Sequence, residues 1–318
     1  MPEFKRKALQ GVFPLLPLPI KAKEEIDYDA IEWNIDWLEQ KGVHGFIALG
    51  CMGAFNAVSE AEFKKVCDVC VNAAKNKRIA CVVSSTQLNT REVVRRVQYA
   101  EQAGADGSMI ALPFAFEMLK EWAVEFWQAV NSAVKGEMAL MLYNTVALQR
   151  GFSVTAELWE KYLLKLENIK AVKDSDMRIH NHDRTLLTVA DKVNWFSSGD
   201  SFFWHDAMWG GKGIVGQLAW VAPKTLVKFY NECMKGNYFD PWVLEVQKAL
   251  IVGFGAISLA QNGMPPMNPY EHGYLNALVE IGGAKAGIPR KPYGPLPEDV
   301  RVKLEQAVQP LLRLEKRV

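Results

Sequence analysis

The chain has 318 residues, 49% of them hydrophobic, with 37 basic side chains against 36 acidic ones and a net charge of +1. That hydrophobic share supports a sizeable core, and the balanced charge supplies no field for nucleic acid or an anionic membrane surface. No apolar run approaches the roughly 20 residues that a bilayer-spanning helix needs.

The N-terminus, Met1-Pro2-Glu3-Phe4-Lys5-Arg6-Lys7, lacks the apolar stretch of a signal peptide. Five cysteines (Cys51, Cys67, Cys70, Cys81, Cys233) form an odd, sparse set that suits free thiols in a reducing, cytoplasmic setting. Cys67 and Cys70 make a CxxC, but it lies inside a helical pattern with no second pair to complete a metal site.

In chain order, Gly11 to Leu18 is a first apolar strand cut by prolines, followed by a helix over 29–40 that Lys41-Gly42 closes. A fully apolar strand, Gly45-Phe46-Ile47-Ala48-Leu49-Gly50, follows. The same unit then recurs. Helices over 59–74, 91–103, 118–133 and 154–164 alternate with strands over 79–83, 107–112, 139–143 and 169–173. A helix near 181–190, a strand over 193–197, a short helix near 202–209 and a strand over 213–215 complete the series. Alternation of this kind means parallel strands with crossover helices, and eight units over about 230 residues predict a (β/α)8 barrel. No Gly-x-Gly-x-x-Gly follows the first strand, which weighs against a dinucleotide-binding fold. Residues 1–235 are therefore expected to form the barrel. Residues 236–318, with helical patterns at 240–258, 270–283 and 297–314 separated by Pro265-Pro266, Pro289 and Pro292, form a helical C-terminal extension.

One strand carries an unusual residue. Asn168-Ile169-Lys170-Ala171-Val172-Lys173-Asp174-Ser175 is an apolar strand ending on Lys173. A buried lysine has its pKa lowered, and the neutral amine can attack a carbonyl to form a Schiff base. The competing reading is a lysine that snorkels to water. In a (β/α)8 barrel the reactive groups sit at the C-terminal ends of the strands. Those ends hold Cys51-Met52-Gly53, Ser84-Ser85-Thr86, Pro113-Phe114, Tyr143-Asn144, Lys173-Asp174 and Ser198-Gly199-Asp200. Tyr143 and Lys173 thus emerge side by side on adjacent strands, where a phenol can shuttle protons for imine formation and hydrolysis.

Together, Gly45-Phe46-Ile47-Ala48-Leu49-Gly50-Cys51-Met52-Gly53, Leu142-Tyr143-Asn144, Val172-Lys173-Asp174-Ser175, Ser198-Gly199-Asp200 and Gly211-Lys212-Gly213-Ile214-Val215 resemble the dihydrodipicolinate synthase / N-acetylneuraminate lyase family of class I aldolases. The resemblance implies that Lys173 is the Schiff-base lysine and Tyr143 the proton-shuttling tyrosine. It also implies that Val215 ends strand 8 with its backbone facing a bound keto acid, and that the chain forms dimers or tetramers.

The departures from the family pattern are informative. The family's Gly-Thr-Thr-Gly-Glu stands here as Gly50-Cys51-Met52-Gly53-Ala54, so the threonine pair that grips a 2-keto acid carboxylate is absent. A thiol is a weak donor and a thioether donates nothing, although loop N–H groups remain available. Pro113-Phe114-Ala115 replaces the family's Pro-Tyr-Tyr. The Tyr-Asn-x-Pro loop has become Tyr143 to Arg150 without its proline and is lengthened, which leaves open whether Arg150 replaces the family's arginine for the second substrate's carboxylate. These losses argue against dihydrodipicolinate synthase activity and against a sialic acid lyase.

Met52, Phe55, Phe114, Phe116 and Trp220 are expected near the rim, which would make the pocket more apolar, as in the family's hydratase-aldolases. Substrate-binding candidates are Cys51, Met52, Phe114, Gly199, Val215 and Trp220. His205 beside Trp204 is placed to reach the rim or to lie on the surface, and His180 and His182 read as a solvated helix start. No histidine cluster shows metal-ligand spacing. The expected function is a cofactor-free, metal-free lyase acting on a 2-keto acid and an aldehyde. A Schiff-base dehydratase of the same family and a non-catalytic binding homologue are the alternatives.

Overall fold

The computed structural model describes residues 6–176, 178–259 and 270–318. The start of the N-terminal run and Pro265-Pro266 lie outside them. Eight strands run parallel: β1 (Gly11–Pro14), β2 (Gly45–Ala48), β3 (Ala80–Ser84), β4 (Gly107–Ala111), β5 (Ala139–Asn144), β6 (Ile169–Asp174), β7 (Asn194–Ser198) and β8 (Gly213–Gly216). They pair in the order β1-β8-β7-β6-β5-β4-β3-β2. A parallel bridge between Leu15 and Ile47, with Leu16 N–H donating to the Ile47 carbonyl at 2.8 Å, joins the two ends. The result is the expected (β/α)8 barrel. Its strands are buried on both faces, and a short, uniformly apolar strand can exist only there.

The helices between strands are α1 (Tyr28–Gln40), α2 (Glu60–Ala74), α3 (Thr90–Ala103), α4 (Lys120–Ala133), α5 (Ala156–Lys161), α6 (Ile179–Val189), α7 (Phe203–Met208) and α8 (Pro223–Met234). Local chemistry fixes several of their ends. Ser59 and Glu62 form a reciprocal capping box on α2, and Asn89 caps α3 by accepting from Glu92 N–H at 3.1 Å. The first strand stops at Pro14 rather than running to Leu18, because Pro14 and Pro17 cannot donate to a ladder. In the barrel core Phe13 and Phe196 meet edge to face at 5.1 Å. Their rings fill the space a side chain would take at Gly45 and Gly213, where a Cβ would stand 2.2 Å from a ring carbon.

Beyond the barrel come α9 (Pro241–Leu259), α10 (Glu271–Ile281) and α11 (Glu298–Glu315). Helix α11 buries Leu304, Val308, Leu311 and Leu314 on one face and packs along α9 and α8. The segment between α10 and α11 returns to the barrel. Asn34 exchanges hydrogen bonds with the backbone of Lys285, and Arg290 reaches Glu62 at 2.7 Å and the carbonyls of Glu24 and Ala57. Helix α10 is thereby held with its first turn over the barrel mouth, where His272 Nε2 lies 3.2 Å from the Cys51 carbonyl.

Candidate active site

Lys173 is buried at the end of β6, in register with Tyr143 on β5 and Phe196 on β7. Residues in register on neighbouring parallel strands point to the same face, so the amine and the phenol share the barrel mouth. Lys173 Nζ sits 3.9 Å from the centre of the Tyr143 ring. Burial lowers the Lys173 pKa to about 8, partly offset by the Cys51 thiol and the Glu271 carboxyl. The amine is thus held neutral far more often near neutral pH than an exposed lysine would be. Burial also pushes the Tyr143 phenol well above its ordinary value, with the Cys51 thiol adding to the rise and Ser175 and Thr145 opposing it. A phenol kept protonated beside a neutral amine is an acid in waiting.

Cys51 lines the same space. Desolvation raises its thiol to about 11, with Lys173 pulling the other way, so it is no thiolate nucleophile. Met52 is buried, its sulfur against Gln217 Nε2. Among the described residues, the N–H groups of Met52 and Gly53 meet no acceptor. Phe114 is half-buried and meets Phe55 edge to face at 5.7 Å. Gly199 takes φ +122° and donates its N–H to the Val215 carbonyl at 2.9 Å. A Cβ at Gly199 would stand 2.8 Å from the Phe254 ring.

Other candidates lie elsewhere. Trp220 is fully buried, donates its indole N–H to the Leu15 carbonyl at 2.9 Å and stacks on Trp37 at 5.7 Å. These contacts place it in the seam between β1, α1 and α10 rather than in the mouth. Phe116 is exposed on the loop after β4, and Arg150 is exposed on a turn at φ +54°.

Two features escape a reading of the sequence. Glu271 lies far along the chain from every rim strand, yet the packing of α10 buries it within electrostatic reach of Lys173, Cys51 and Tyr143. The second is a correction: His180 is exposed as a helix start should be, but His182 is buried. Its Nε2 lies 2.9 Å from Asp206 and its Nδ1 lies 3.5 Å from Asp174. Burial disfavours its charge, but the two carboxylates outweigh that and push its pKa up to about 10. His205 is not a bare surface histidine either, since its Nδ1 sits 3.1 Å from Asp206. The sequence signal for this cluster is weak, because its members come from three separate elements.

Asn144 ties the rim together. Its amide donates to Asp174 at 2.7 Å and its carbonyl oxygen accepts from Val154 N–H at 2.9 Å. Cys67 and Cys70 are buried on α2, and desolvation pushes Cys67 up to about 12 and raises Cys70 well above its ordinary value, which leaves the CxxC without thiolate character.

Comparison with known proteins agrees with this arrangement. The chain is 25% identical over 302 residues to a 4-hydroxy-tetrahydrodipicolinate synthase of Archaeoglobus fulgidus, covering 95% of this chain and 98% of that one. It is 26% identical over 300 residues to the synthase of Methanothrix thermoacetophila, covering 94% and 96%. Among solved structures, YagE, an Escherichia coli K12 prophage protein of the dihydrodipicolinic acid synthase family in complex with pyruvate, superposes with a TM-score of 0.85 at 21% identity, covering 95% and 98%. Residues 8–311 match the model of the dihydrodipicolinate synthetase family. With a closed barrel, the lysine and tyrosine in register, and a match along nearly its whole length, the chain belongs to the dihydrodipicolinate synthetase family as a divergent member.

Proposed function

We propose that the protein is a class I lyase in which Lys173 forms an imine with a pyruvate-type 2-keto acid. The observation that carries this reading is the buried Lys173 amine 3.9 Å over the Tyr143 ring, with its pKa lowered to about 8. The neutral amine attacks the keto carbon, Tyr143 supplies and recovers the proton as the carbinolamine loses water, and the imine then accepts the electron pair released by carbon–carbon cleavage. Support for this reading comes from YagE, a neighbour of the same fold solved in complex with pyruvate, and from curated relatives named 4-hydroxy-tetrahydrodipicolinate synthase.

Substrate choice differs from that of the synthases. With Cys51 and Met52 in place of hydroxyls, the keto acid carboxylate is bound by the N–H groups of Met52 and Gly53, which meet no acceptor among the described residues. Met52, Phe55 and Phe114 offer an apolar wall, which favours an apolar or aromatic aldehyde portion over a charged one. The chain is proposed to work as a homodimer or homotetramer, which light scattering would test.

Incubation with pyruvate and borohydride, followed by peptide mass spectrometry, decides the mechanism. Reduction should fix one pyruvate-derived adduct on Lys173 and none in Lys173→Ala; failure to label Lys173 with pyruvate or any aldehyde or ketone excludes it. Product analysis separates a lyase, which releases an aldehyde, from a dehydratase, which keeps the carbon chain whole.

A further inference from the structure

Behind the barrel wall, on the far side of β6 and β7 from the Lys173 amine, α6 and α7 bring two imidazoles onto one carboxylate. We propose that His182, His205 and Asp206 form a binding site for a divalent transition metal, with zinc the best chemical match, separate from the Schiff-base site. The ligand atoms of the three residues all lie within 4.8 Å of one another. Asp206 Oδ1 is 2.9 Å from His182 Nε2 and 3.1 Å from His205 Nδ1. Ligand atoms around a tetrahedral ion with bonds of about 2.0–2.1 Å stand about 3.3 Å apart, so the two Asp206–imidazole edges are already close to the required spacing and loading would draw the two imidazole nitrogens together. Two imidazoles and a carboxylate suit zinc or a neighbouring transition ion and suit calcium or magnesium poorly.

The independent support comes from the outer atoms. Protein metal sites fix their ligands through a second layer in which the far nitrogen of each histidine meets a carboxylate. Here His182 Nδ1 faces Asp174 at 3.5 Å, and His205 Nε2 faces Asp183 at 3.7 Å. The other oxygen of Asp206 accepts from Ser197 Oγ at 2.6 Å and from the Trp195 indole at 2.9 Å. Asp206 is thus fixed from behind by hydrogen bonds, and each imidazole has a carboxylate on its outer side. A fourth position is available, because a cavity of about 260 Å³ reaches both imidazoles and is lined also by Asp176, Ser198 and Phe202. An ion there would cross-link α6 to α7 through residues that also hold Asp174, the neighbour of Lys173.

The test uses the untagged full-length chain, stripped with chelator and titrated at pH 8 with Co²⁺ and then Zn²⁺, and binding must release the proton that the two carboxylates hold on His182. One equivalent per chain is expected, with visible cobalt absorption that zinc abolishes. His205→Gln, at a half-exposed position, should weaken zinc binding by more than the roughly 10–100-fold that loss of an outer partner costs, and Asp183→Asn should fall within that range. Lys173→Ala should bind as wild type does, which keeps this result independent of the imine chemistry. Absence of stoichiometric metal, or an unchanged affinity in folded His205→Gln, overturns the site and leaves the cluster as a hydrogen-bonded ion network.

Discussion

Lys173 and Asp174 are consecutive on β6, yet the amine lies over the Tyr143 ring inside the barrel while the carboxylate faces His182 on α6. The period-2 alternation of a strand produces this division, with one residue to each side of the sheet. It gives the two neighbours opposite tasks: Lys173 is left in an apolar mouth that favours its neutral form, and Asp174 is anchored in a polar layer that fixes the strand end. Asn144, the register partner of Asp174, completes that anchor.

The yield of borohydride-trapped adduct at fixed short times should rise with pH and level off above about 8, because only the neutral Lys173 amine attacks. Glu271 holds that pKa up, since a negative charge favours the ammonium. Glu271→Gln should therefore move the midpoint to lower pH. A midpoint near the ordinary lysine value would show that the amine is solvated.

Replacing Lys173 by methionine should stabilise the fold near neutral pH. A pKa lowered from 10.5 to about 8 means that protonated Lys173 costs about 3 kcal/mol in the native state, at about 1.4 kcal/mol per unit. Below pH 8 both states bind the proton and the cost is complete. Between about 8 and 10.5 the unfolded chain binds more protons than the native one, so wild-type stability gains from this group as pH rises. Denaturant unfolding should show the variant ahead of wild type at pH 7 and the gap closing by pH 10.

Tyr143→Phe keeps the ring under the amine but removes the proton. We expect kcat to fall by about 10²–10⁴, the usual worth of a positioned acid–base group, with an unchanged melting temperature. Lys173 should still become labelled, only more slowly. A variant with near wild-type turnover would assign the proton transfers to another group.

Trp220→Phe should act on stability instead of substrate. It removes the hydrogen bond to the Leu15 carbonyl and leaves that buried acceptor unsatisfied, at a cost of about 1–3 kcal/mol. KM for the keto acid should stay within about twofold, since the indole has no surface in the barrel mouth. A large change in KM with unchanged stability would return Trp220 to the pocket.

Much of this molecule is local and therefore legible along the chain. Eight apolar runs spaced by helical patterns could bury both their faces only as a parallel barrel, and the strand ends then placed Tyr143 and Lys173 at one rim. What the chain does not spell out is long-range. Trp220 reads as a rim aromatic until α1 and β1 close over it. Glu271 enters the mouth because Arg290, Asn34 and His272 dock the C-terminal segment more than 200 residues away in sequence. His182 reads as part of a solvated helix start and His205 as a rim or surface residue, since hydrophobic period reports which face a residue takes and says nothing about its neighbour across two helices. Local pattern along the chain was enough for the barrel and for the rim at which Lys173 and Tyr143 meet. Only tertiary packing decided which polar groups surround that pair, because burial and charge contacts between distant segments are properties of the folded surface and of no single stretch.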